Sequence, residues 1–280
     1  MRIAILTTSY PQWDGDAAGH FVAADALELV RQGHSVSVFC PRDPQFGWCH
    51  PDPQTANPAV FSADAHGACG FPGVLPRIRA RPWRLLGLLS WLWSARRWLK
   101  THGPFDRLIC QWLFPSAWPL ARYTRNSVAK LECVVHGSDA RLLARLPRPV
   151  QRSIVRGLLQ RGAHFRCVSE ELAQIVWQAV DFRAATAARA LRAELEARIY
   201  VHPPALEVEV PLSRSAARKQ LNVITPAPLV VIASRLIASK RVDVALNALR
   251  LAGITDIVVL GDGPEQRTLA RRYPEVRFMG

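Results

Sequence analysis

A chain of 280 residues, nearly half of them apolar and without a low-complexity tract, can bury one large core or two smaller ones, which excludes a disordered or fibrous protein. Its net charge of +14 comes from 36 basic residues, only four of them lysines, and favours an anionic partner without saying which kind. The six cysteines are scattered and form no C-x-x-C pair, so a reduced protein without a structural zinc is expected.

The first element is "RIAIL" at residues 2–6, a short apolar run of the buried-strand kind. It is too short for a signal peptide or a membrane span, and the scattered cysteines are those expected of a cytoplasmic protein. A polar loop with Gly15 and Gly19 follows, then a helix with apolar residues at helical spacing (Phe21, Ala24, Leu27, Val30), stopped by Gly33. "HSVSVFCP" alternates and ends at Pro41 as a second strand. Strand, loop, helix and strand make a βαβ unit, hence a parallel sheet with the first loop at its ligand-binding edge.

Residues 41–82 are rich in Pro, Gly and Ala and predict little regular structure. A helix is expected over 83–100, then buried strands in "RLICQW" and in "LECVVHGSD", the latter ending at His136 and Gly137. In "HFRCVSEELAQIV" a strand ends at Ser169, which caps a helix whose first turn carries Glu170 and Glu171. The segment 201–211, "VHPPALEVEVP", cannot be helical and marks a linker. Beyond it an α/β pattern starts afresh: "PLVVIAS", "KRVDVALNALRLAG", "DIVVLG", "PEQRTLARR" and "VRFMG" alternate strand and helix. The expected organisation is two Rossmann-like domains facing each other across a cleft, 1–205 and a much shorter 206–280.

"ASRLIASKRVDVALNAL", "IVVLGDGPE" and "VRFMG" resemble the donor-binding domain of the retaining, GT-B type nucleotide-sugar glycosyltransferases of family 4. "TTSYPQWDGDAAGHFV", "GHSVSVFCP", "FDRLICQWLFPSA", "VHGSD" and "CVSEEL" resemble stretches of that family's acceptor domain, in the family's order. The resemblance implies a GT-B architecture and transfer of a sugar from a nucleotide donor, with retention, to a glycan or lipid-linked acceptor in polysaccharide or lipid-linked glycan synthesis. It also implies that the donor domain continues past "VRFMG" with a glutamate-bearing segment. On that ground the second domain is expected to be incomplete and Gly280 to be an interruption. The rival is a catalytically silent remnant that binds only a partner or a membrane. A nucleic-acid binder is set aside because no reading motif is present.

The residues that carry the chemistry follow from strand ends. Arg235 comes just past the "LVVIAS" strand and Lys240 five residues on, so a forked cation and a point charge stand at the sheet's carboxyl edge. In the family these two grip the donor diphosphate, whose growing charge fixed cations stabilise in place of a metal ion. No cofactor is expected, and the first loop lacks the G-x-G-x-x-G of nicotinamide and flavin enzymes. Gly19 either lets the backbone approach a phosphate or is an ordinary turn. Gly261 and Gly263 in "GDGP" read in the same two ways for the nucleotide. The family's histidine matching His136 lies beside the transferred sugar, the catalytic position; the residues alone also read as a strand-end histidine satisfied by backbone. Asp139 is either a substrate contact or a helix cap.

The last candidate is a surface. Residues 77–100 hold seven basic residues, no acidic one, and four of the nine tryptophans. Trp83, Trp91, Trp93 and Trp98, with Arg96 and Arg97, read as an interfacial helix on an anionic membrane, at the inner face. A crossover helix buried against the sheet is compatible with the same residues.

Overall fold

The computed structural model describes all residues except 14–15, 17, 45–48, 71–72, 122–128, 181–185, 206–210 and 222–227. Gly15 and the middle of the expected linker therefore lie outside the described residues. The chain forms two compact units, Met1–Glu207 and Val208–Gly280.

In the first unit the chain runs β1 (Arg2–Leu6), α1 (His20–Arg31), β2 (Ser35–Arg42), β3 (Ala59–Asp64), α2 (Val74–Ala80), α3 (Arg84–His102) and β4 (Arg107–Gln111). A tight turn, Leu113–Ala117, leads into α4 (Trp118–Ala121), β5 (Lys130–Val135), α5 (Gly137–Arg145), α6 (Arg148–Leu159) and β6 (His164–Cys167). Then come α7 (Glu170–Val180), α8 (Thr186–Glu196) and β7 (Ile199–Val201). The strands form one parallel sheet in the order β3-β2-β1-β4-β5-β6-β7. Alternation along β1 sends Ile3 and Ile5 to the α1 face and Ala4 and Leu6 to the face covered by α3 to α8. Chain order reverses between β1 and β4, so the loops leaving these two strands part at the carboxyl edge and open a crevice.

The second unit holds α9 (Arg214–Gln220), β8 (Val230–Ala233), α10 (Val242–Leu251), β9 (Ile257–Leu260), α11 (Gln266–Arg272) and β10 (Arg277–Phe278). Its three strands are parallel in the order β10-β9-β8, over a core of Leu236, Val242, Leu246, Val259, Leu269 and Tyr273. The α/β class expected from the sequence is the class observed.

Three expectations need correction. Residues 41–82 are not structureless: "AVFSAD" is β3, paired in parallel with β2, and its Val60 is buried. Its short apolar run is hidden between prolines, and only the open edge of β2 reveals a place for it. The linker begins later than expected, because Val201 closes β7 against Cys167. Finally, Trp91 and Trp98 are no membrane contacts. Spaced seven apart, with Leu88 and Ala95, they lie on the inner face of α3 and are 0% and 5% exposed. Their rings meet Phe39 at 5.8 and 5.3 Å, and Gly87 lets the helix lie against the Ala65 carbonyl, where any Cβ would collide.

The α1 face also carries buried charge. Glu132 on β5 pairs with Arg107 on β4 and lies 3.7 Å from Arg166 on β6, which in turn pairs with Asp25 on α1. Asp25 accepts the Ala205 N–H at 2.7 Å, which ties the end of the unit back to its first helix.

Candidate functional site

In the first unit the site residues gather at the crevice. β5 delivers His136 at its carboxyl end, where it becomes the N-cap of α5. Asp139, in the first turn of that helix, spends both oxygens on backbone: Oδ1 accepts from His136 N (2.9 Å) and Ala140 N (3.0 Å), and Oδ2 from Leu113 N (2.6 Å). It therefore fastens the loop after β4 to the loop after β5, and the geometry is that of a cap. Burial pushes its carboxyl up to about 7 against the pull of these backbone donors.

His136 is enclosed by rings, with Phe21 of α1 at 5.2 Å and Trp112 at 4.9 Å. Burial first, and the Arg166 charge second, hold its imidazole down at about 3, so it is neutral at ordinary pH. Its Nε2 lies 2.8 Å from Gln111 Oε1. With the amide oxygen facing the ring, Nε2 carries the proton and Nδ1 keeps a lone pair. Gln111 is fully buried, and its amide nitrogen has no hydrogen-bond partner. A buried donor left open at a crevice is suited to a ligand oxygen. Gln111 was not singled out from the sequence; its place as the last residue of a strand beside β5 is the signal that could have found it.

Trp112, next in the chain, has a positive φ (φ 71°, ψ 135°), a sparsely populated backbone conformation that costs an L-residue roughly 1–3 kcal/mol. Its N–H donates to Val134 O at 2.9 Å, which holds the turn. Gly19 stands at the N-cap of α1 with φ 75°, and a Cβ there would collide with the carbonyl of Ser9. The β1–α1 loop thus folds tightly on itself and presents the start of α1 beside His136. The structure brings Gly19, His136, Asp139 and Gln111 to one edge.

In the second unit Arg235 and Lys240 both follow β8 at the carboxyl edge, and both are exposed. A turn, Ala238–Lys240, separates them from α10, which Arg241 opens in a left-handed conformation (φ 51°). Gly261 and Gly263 follow β9 beside them. Added Cβ atoms would strike the carbonyls of Ser234 and Leu236, so only glycines allow the two loops to pack this closely. Leu236 N donates to Asp262 O (2.8 Å) and Glu265 N to Leu236 O (3.1 Å), locking the pair of loops together.

Trp83 and Trp93 are 57% and 60% exposed on the outer face of α3, with Leu86 and Leu89, and the Arg97 guanidinium lies 5.9 Å over the Trp93 ring. No helix among the described residues is long and apolar enough to cross a membrane.

The sequence model of a family described as Glycosyltransferase Family 4 matches residues 18–188. No curated protein matches the chain. Among solved structures, the catalytic domain of starch synthase IV from Arabidopsis thaliana, bound to ADP and acarbose, superposes with a TM-score of 0.58 at 16% identity, over 99% of this chain and 73% of that one. HepE from Anabaena, in complex with UDP, gives 0.60 at 16% identity over 100% and 69%. WaaG, a glycosyltransferase involved in lipopolysaccharide biosynthesis, gives 0.56 at 15% over 99% and 69%. At such identities the likeness is one of fold.

Proposed function

The chain belongs to Glycosyltransferase Family 4, and from that membership we propose that it moves a sugar from a nucleoside diphosphate sugar to an acceptor, with retention, in polysaccharide or lipid-linked glycan synthesis. One observation carries the reading. A forked and a compact cation stand together past β8, beside two glycines that no larger residue could replace. Such an edge suits a diphosphate, which needs fixed positive charge and close backbone approach. HepE and starch synthase IV, whose folds this chain shares, were solved with UDP and ADP.

Arg235 and Lys240 grip the diphosphate and offset its growing charge as the sugar leaves, so the reaction draws on no metal ion. Gly261 and Gly263 let the nucleotide approach the backbone. His136 lies beside the transferred sugar. Being neutral, it brings no charge to the sugar, and Gln111 fixes the orientation of its ring. Gly19 sets the first loop close to the same sugar. The protein works in the cytoplasm, and the outer face of α3, with Trp83, Trp93, Arg96 and Arg97, rests on the anionic inner surface of a membrane that holds the acceptor.

The test is calorimetry with UDP, ADP and GDP. One of them should bind, and Arg235→Ala should weaken it by about 1.5–3 kcal/mol, the loss expected for a charged hydrogen bond. Equal affinity in parent and variant would remove Arg235 from the site.

A further inference from the structure

The helical layer of the first unit holds a cavity of about 450 Å³ between α4 and α6 that the transfer reading does not use. Arg152, Ser153 and Arg156 line it from the outer side of α6, Gln160 and Arg161 from the turn after it, and Trp118 from α4. The same helix buries Ile154, Val155 and Leu158 on its other face, so the arginines are turned outward by the amphipathic pattern itself. Arg152 and Arg156 are four residues apart and share one row. Arg161 is held in place by its own bond, Nη1 donating to Ala121 O at 2.6 Å.

The turn after α6 leads straight into the start of β6, which puts this end of the cavity towards the amino edge of the sheet. His136 stands at the carboxyl edge and is not among the residues that line the cavity.

We propose that this cavity binds a phosphate ester. Three arginines, Arg152, Arg156 and Arg161, line one space, and among the described residues no acidic one does. Such a lining attracts an anion with several oxygens and repels a cation. The Ser153 hydroxyl and the Gln160 amide supply neutral donors for oxygens that the arginines leave. The volume exceeds what a bare phosphate ion fills, and Trp118 and Pro149 give an apolar wall for the organic part. The ester comes either from a soluble metabolite or from a lipid headgroup, and the chemistry of the site is the same for both.

Two probes separate the sources: glycerol 3-phosphate in solution, and phosphatidylcholine vesicles containing phosphatidic acid. The full chain is compared with Arg152→Ala/Arg156→Ala and with Arg235→Ala/Lys240→Ala, which alters the other phosphate-binding edge. The first variant should lose about tenfold or more in affinity for at least one probe, and the second should keep the parent's affinity. Loss with glycerol 3-phosphate assigns a soluble ester; loss of vesicle flotation alone assigns a headgroup. Arg156→Glu, a reversal at an exposed position, repeats the measurement should the double variant not fold. Failure of the parent to bind either probe, or equal binding by parent and α6 variants, overturns the proposal.

Discussion

His136 and Asp139 stand three residues apart, and burial works on them in opposite directions, to about 3 and about 7. Between about pH 3 and 6.5 the unfolded chain carries a proton on His136 that the folded chain does not, so this residue makes stability rise with pH. Between about pH 4 and 7 the folded chain keeps a proton on Asp139 that the unfolded chain has released, so stability falls as pH rises. Over the shared window the slopes cancel. His136→Asn should leave only the falling slope and Asp139→Asn only the rising one, each up to about 1.4 kcal/mol per pH unit. Urea unfolding at stepped pH reads both; parallel curves for parent and variants would refute the opposed titrations. At this scale the sequence was partly legible. A histidine ending a strand declares its edge, whereas Gln111 gains its meaning from a partner 25 residues away, which only the pairing of β4 with β5 brings near.

Helix α3 shows how an element divides one composition between two tasks. Its sequence was legible as a Trp-rich basic helix, but the split between faces depends on angle, and only Trp83 and Trp93 face outward. On vesicles containing anionic lipid, Trp83→Ser with Trp93→Ser should reduce flotation while leaving the melting temperature within a few degrees of the parent. Trp91→Ser should do the reverse, lowering stability by about 3–5 kcal/mol through the cavity it leaves. Flotation that is equal for parent and outer-face variant would confine α3 to the core. β3 went unread for the same kind of reason, since a six-residue strand owes its existence to the open edge of β2. The charges of Glu132 and Arg166 sat inside runs read as buried strands, and their compensation appears only when β4, β5 and β6 are laid side by side with α1.

For the molecule as a whole, the parallel α/β class was legible because fully buried strands read as apolar runs alternating with amphipathic helices. The order of the strands was not, since no local pattern says which runs are neighbours. That order has a consequence in time. β1 is made before the other strands, yet it lies inside the sheet, between β2 and β4. About 100 further residues must leave the ribosome before β4 can close its second edge, a delay of about 5–20 s at ordinary elongation rates. Throughout that interval an apolar strand waits half-paired. Nascent chains arrested before β4 has emerged should therefore be digested through β1 and β2 and retained by chaperones, while chains arrested after β5 should resist. Protection of β1 before β4 is made would show that α1 and β2 alone shelter it. Otherwise the first five residues of the sheet are the ones for which synthesis rate and chaperone supply decide the yield of folded protein.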